Sequence, residues 1–194
     1  MGPGFAWETP AMPRMTADDL ATYLRQPHVG VVATLRRNGA PYTVPVWWWW
    51  EPDPTRPPFV AGLHEHPNGE LWLIGTTTRV WCRQLMVDGR ASLCIESGPP
   101  VTAHVELDGV CEALVPPAFD IWPMAERLAD KYVGLGHPER APAVAAFVAN
   151  MRTEPRLLFR MRPTTLRAID MRVYRGKRAD REHQDARAHP EEAC

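Results

Sequence analysis

The chain has 194 residues, 45% of them apolar and 23% charged, with a net charge of -1. That is mass enough for one core, and the balance of charge excludes a general electrostatic grip on nucleic acid or on an acidic membrane surface. No apolar run approaches the ~18 residues of a transmembrane span. Residues 1–13 lack the basic region and apolar stretch of a secretory leader, so a cytoplasmic domain is expected.

Residues 1–15 read as an irregular arm. Thr16-Ala-Asp-Asp19 then predicts a helix start, with Thr16 as cap and two acids at the positive end of the dipole. Leu20, Tyr23 and Leu24 give it an apolar stripe, and Pro27 ends it. Residues 29–35 are rich in β-branched side chains and predict a strand. Asn38-Gly39 is a hairpin signal, and the return strand is 42–51. A proline-rich loop follows at 52–58, then a short strand at 59–63, a turn at 64–69 and a strand at 70–75. Residues 76–87 predict a helix opened by three threonines, with Gly89 after its end. Strands are expected at 90–96 and 101–114, the latter with a bulge at Gly109. A helical excursion occupies 116–152, with helices at 121–132 and 142–151. Strands at 157–161 and 166–173 close the domain, broken at Pro163. Residues 174–194 are charged and poor in large apolar side chains, and read as a disordered tail. The domain thus spans 16–173. Short turns between strands favour an antiparallel sheet or barrel over a parallel one.

The return strand carries Trp47, Trp48, Trp49 and Trp50 in succession. Neighbours on a strand face opposite ways. Val44, Val46, Trp48 and Trp50 therefore share one face, and Pro45, Trp47, Trp49 and Glu51 the other. Each indole carries roughly 200 Å², so leaving the second pair in water would expose about 400 Å², near the limit for a soluble monomer. Covering it is worth up to about 10 kcal/mol at ~25 cal/mol per Å². Both faces must be covered. The barrel core takes one; the other is expected to meet a partner subunit, a flat ligand or both, with a helix of the same chain as the alternative.

Other candidate chemistry is weaker. The four cysteines form no C-x-x-C pair, so no structural zinc site is expected, and Cys82 and Cys94 are expected to pack in the core. His64 and His66 form an H-x-H pair in a loop without an evident third ligand, so no metal site is assigned. Glu96, Glu106, Asp108 and Glu112 read as solvent-face residues. The mixed charges of 172–187 do not make a nucleic-acid grip. No G-x-G-x-x-G, P-loop or G-x-S-x-G motif is present.

The segments VVATLRRNGAPYTVPVWWWWEPD, ELWLIGTTTRVWCRQLMVDGRASLCIE and VELDGVCEAL, together with PRLLFRMRPTTLRAIDM at the closing strands, resemble the flavin and deazaflavin oxidoreductases with the pyridoxamine-phosphate-oxidase-like split barrel. The resemblance covers roughly residues 20–114. It implies a mainly β, antiparallel split barrel with added helices, homodimeric, with FMN or a deazaflavin held between subunits. It places backbone groups of Thr43, Val44, Pro45, Val46 and Trp47 at the cofactor ring. The cofactor's phosphate falls at Thr76, Thr77, Thr78 and Arg79, where a helix N-terminus, hydroxyls and a guanidinium independently suit an anion. Trp81 stands where many relatives carry lysine and Gln84 where they carry asparagine; Arg79 and Arg83 are the residues that could replace the missing charge. A deazaflavin's polyanionic tail would want a basic groove, for which Arg36 and Arg37 are candidates. The cofactor would carry the hydride, so no catalytic acid or base is named. Trp49 on the ribbon and Trp122 on the excursion are candidates for the pocket of a flat, largely apolar substrate. The rivals are a haem-binding split barrel using one of the seven histidines, and a cofactor-free or non-enzymatic ligand-binding dimer.

Overall fold

The structure, a computed structural model, describes residues 14–55, 67–98 and 103–171. The arm at 1–13, the expected strand at 59–63, His64 and His66, and the tail at 174–194 lie outside the described residues. Helix α1 (Ala17–Arg25) starts as its sequence dictates. The Thr16 side chain accepts from the Asp19 amide, and Leu20, Tyr23 and Leu24 are buried. Strands β1 (Gly30–Leu35) and β2 (Pro41–Val46) form the expected hairpin, with Gly39 at φ 79° in its turn.

The tryptophan ribbon is not one strand. It divides at Trp47 into β2 and β3 (Trp48–Glu51). β4 (Glu70–Thr76), β5 (Arg90–Glu96), β6 (Ala103–Leu114) and β7 (Arg156–Asp170) complete a seven-stranded antiparallel sheet in the order β2-β1-β5-β6-β7-β4-β3. β2 and β3 therefore form opposite edges, although only Trp47 separates them. The sheet must curl until its edges meet, which makes a barrel with an unpaired seam. Tyr132 plugs that seam: its hydroxyl accepts from the Trp48 amide at 3.2 Å and donates to the His28 carbonyl at 2.9 Å.

Two other boundaries move. The break expected at Pro163 is absent, because β7 runs through it, with a register shift between Asp108 and Gly109 accommodating the proline. The bulge expected at Gly109 is that same irregularity. Cys94 does not pack in the core. β5 alternates strictly, sending Ala91, Leu93 and Ile95 inward and Cys94 out.

The alternation foreseen for the indoles survives the division. Trp48 is fully buried and Trp50 nearly so, inside the barrel. Over the outer pair lie helices of the same chain, the alternative expected for it: α3 (Trp122–Ala129), a π-helical turn (Asp130–Gly134) and α4 (Ala141–Met151). Trp47, Trp49, Trp122 and Tyr132 pack there against buried Trp72, Ile121, Leu128 and Leu158. The π turn also drives Lys131 inward. Its ammonium bonds the Leu24 carbonyl at 3.0 Å, near the C-terminus of α1, and lies 3.3 Å from the centre of the Trp48 ring. No helix among the described residues is long and apolar enough to cross a membrane.

Candidate functional site

Where the seam, the turn between β4 and helix α2 (Val80–Val87) and the helical coat converge there is a cavity of about 330 Å³. Pro45, Val46 and Trp47 form one wall and Ile74 of β4 lies beside them. Leu128 and Ala129 of α3, with Phe147 and Met151 of α4, supply a roof. Trp47 is fixed by flat stacking on Tyr132, with ring centres 4.8 Å apart and planes 2° apart, and by a tilted contact with Phe147 at 5.4 Å. The remaining lining is Arg79, Trp81 and Arg156.

Helix α2 is shorter than its sequence suggests, running Val80–Val87. Thr76 is not its start but the last residue of β4, paired across the sheet with Arg156. Thr77 donates its amide to the Pro155 carbonyl at 3.3 Å, and the Arg79 amide donates to Thr76 at 3.1 Å. The Thr76 and Thr78 hydroxyls bond each other at 2.9 Å. The threonines thus build the turn, and none of the three lines the cavity. Gly75 lets α2 settle onto β4, because a Cβ there would run into Cys82 Sγ and come within 2.8 Å of the Trp81 ring.

Of the candidate cofactor residues, the structure brings together Pro45, Val46, Trp47, Arg79 and Trp81. It does not bring the others to this cavity. Val44 packs against the barrel core and Thr43 faces out on β2. Arg83 and Gln84 line a different groove, with Arg36 and Arg37, and Gln84 is held there by the Thr34 hydroxyl at 2.5 Å. The candidate substrate residues Trp49 and Trp122 belong to the contact between coat and barrel. Trp49 donates its indole N–H to Glu51 at 2.8 Å, and the Arg152 guanidinium sits 3.9 Å from the Trp122 ring centre. Sequence reasoning does not reach Arg156. Nothing local marks Arg156; its place depends on the pairing of β4 with β7, some eighty positions apart.

The donor set fits an anion next to a flat apolar body. Arg79 makes no ion pair among the described residues. Among the described residues the buried Trp81 indole N–H has no hydrogen-bond partner and no carboxylate lines the cavity. Burial pushes the Cys82 thiol up to about 12, although Arg79 and Arg156 pull the other way, so it is no thiolate nucleophile near neutral pH. Among the described residues there is no group of three metal-ligating side chains, and neither His28, His104 nor His137 lines the cavity.

No family model matches the chain and no curated protein does. Solved structures do. A conserved hypothetical protein of Mycobacterium tuberculosis, Rv2991, superposes with a TM-score of 0.56 at 21% identity, over 84% of this chain and 89% of that one. An FAD-binding protein of Mesorhizobium loti gives 0.50 at 15% identity, over 81% and 96%. An F420 reductase gives 0.49 at 20% identity, over 75% and 93%. The fold shared with these proteins is an antiparallel split β-barrel with added helices. At these identities the likeness establishes the fold alone.

Proposed function

We propose that the chain is an oxidoreductase holding a flavin- or deazaflavin-type cofactor in this cavity. The carrying observation is the cavity's two-part lining: an aromatic and apolar wall at Pro45, Val46, Trp47 and Phe147, and a cationic end at Arg79, which makes no ion pair among the described residues. Pro45, Val46 and Trp47 would hold the ring and Arg79 its phosphate. The bound cofactor would supply hydride transfer. The protein's own part is to hold Trp47 rigid against Tyr132 and Phe147, and to exclude water with Leu128, Phe147 and Met151. A flat, largely apolar substrate suits those walls better than a charged one.

A second copy would complete the site. Pro45, Val31 and Cys94 lie side by side in register across three strands. All three are solvent-exposed on the outer face, Val31 at 44%, and Pro45 also lines the cavity. A homodimer seated on that face would close the cavity's open side.

Titrating the purified protein with FMN and with a deazaflavin tests the proposal, read by visible absorption and by quenching of tryptophan fluorescence. Tight, saturable uptake of one of them is expected. Absence of binding by either would sink it.

A further inference from the structure

The cationic end of the cavity holds a second guanidinium with a different history. Arg156 opens β7, directly across from Thr76 in the β4–β7 register. The Thr77 amide bond to the Pro155 carbonyl ties that corner to the turn before α2. Both arginines act on the Cys82 thiol, so their positive fields overlap. Arg156 is well buried, its side chain 14% exposed, and its Nε donates to the Met151 carbonyl at 3.4 Å. Its terminal nitrogen meets the Glu154 carboxylate at 2.8 Å, but Glu154 is 53% exposed. A half-exposed carboxylate two residues away is a weak, replaceable partner, whereas a planar guanidinium suits a phosphate bidentately.

We infer that Arg156 is the second anion-binding residue of the cavity. It would set a second guanidinium beside Arg79, with Glu154 occupying it until a phosphate monoester takes the carboxylate's place. Trp81 then adds a neutral donor, its unpaired indole N–H. The inference rests on the cofactor proposal for its full ligand, but the anion half stands separately. The ligand class is a molecule with a terminal phosphate; the same ring without phosphate binds weakly.

Calorimetric titration with FMN, with riboflavin and with inorganic phosphate tests this on the wild type, Arg156→Gln and Glu154→Gln. Wild type is expected to prefer FMN over riboflavin by about tenfold or more, a charge-assisted contact's worth. Arg156→Gln should lose that preference while keeping its riboflavin affinity, and Glu154→Gln should bind FMN a few-fold more tightly. An unchanged FMN-to-riboflavin ratio in Arg156→Gln overturns the inference. If Arg156→Gln fails to fold, Glu154→Gln decides: no gain in affinity for FMN or phosphate overturns it. If no flavin binds but phosphate raises the wild-type melting temperature, and not that of Arg156→Gln, the anion site stands and the flavin assignment falls. If neither phosphate nor flavin binds, both fall.

Discussion

Trp48 and Trp50 differ from Trp47 and Trp49 in nothing but the side of the ribbon they occupy. The inner pair is buried by the sheet itself, which its curl holds shut. The outer pair is partly covered by helices that arrive late in the sequence. Sheet burial is cooperative with the whole barrel; coat burial is local and can open by itself. Trp48→Ala should therefore cost about 3–5 kcal/mol, as for a large aromatic removed from a core. Trp49→Ala, half-exposed under the coat, should cost about 1 kcal/mol. Denaturant midpoints of the two variants measure the gap. Equal losses would mean that coat and barrel unfold as one unit.

Lys131 crosses the division, since it belongs to the coat yet lies on the inner ring of Trp48. Burial pushes its amine from 10.5 down to about 7. Above pH 7 the folded protein gives up that proton, while the unfolded chain keeps it to about 10.5. The unfolded state then binds more protons, so stability rises with pH in that window, and the penalty is full below it. At ~1.36 kcal/mol per pH unit, the gain from pH 7 to about 8.5 is up to about 2 kcal/mol. Lys131→Met should abolish the rise. The buried thiols of Cys82 and Cys111, both pushed up to about 12 by burial, act with the opposite sign above pH 9, so the comparison stops below that. His28, facing Lys131 and lowered mainly by burial, acts below its usual 6.5 and leaves the window clear. Urea midpoints at the two pH values decide. A parallel rise in both proteins would show that the Leu24 carbonyl and the Trp48 face keep the amine charged.

The same division separates what was legible in the sequence from what was not. The cap at Thr16, the Asn38-Gly39 turn and the alternation of the indoles are local, and each appears as read. The division at Trp47 is not local: it follows from closure of the sheet, which no window of residues encodes. For the same reason the sequence leaves the cover of the outer indoles open between a partner subunit, a flat ligand and a helix of the same chain. Nothing in the periodicity of 116–152 says which face of the barrel those helices cover. Pro45 and Trp47 belong to one of the segments that carry the resemblance and Arg79 to another, and all three line the cavity. Arg156 is not legible, because it reaches the turn only through pairing with Thr76. Arg83 enters as a replacement charge and Gln84 as the counterpart of an asparagine, but a helix turns 100° per residue and carries them to another groove.

The coat is also tied to the ribbon by charge, and here the smallest effect is expected. Arg127 on α3 meets Glu51 at the end of β3 at 2.6 Å, and the same carboxylate oxygen accepts from Trp49 Nε1. Both charged side chains are about half exposed, at 52% and 41%, so water screens the pair. Glu51→Gln should lower global stability by less than about 1 kcal/mol. Its effect should be confined to the coat, because the pair joins α3 only to the end of β3. Hydrogen exchange should then show faster opening of α3 with unchanged protection of β1, β5 and β6. The difference between wild type and variant should shrink in high salt. Uniform loss of protection across coat and barrel would contradict the separation that the two tryptophan pairs suggest, because a contact this exposed can only loosen the unit it directly holds.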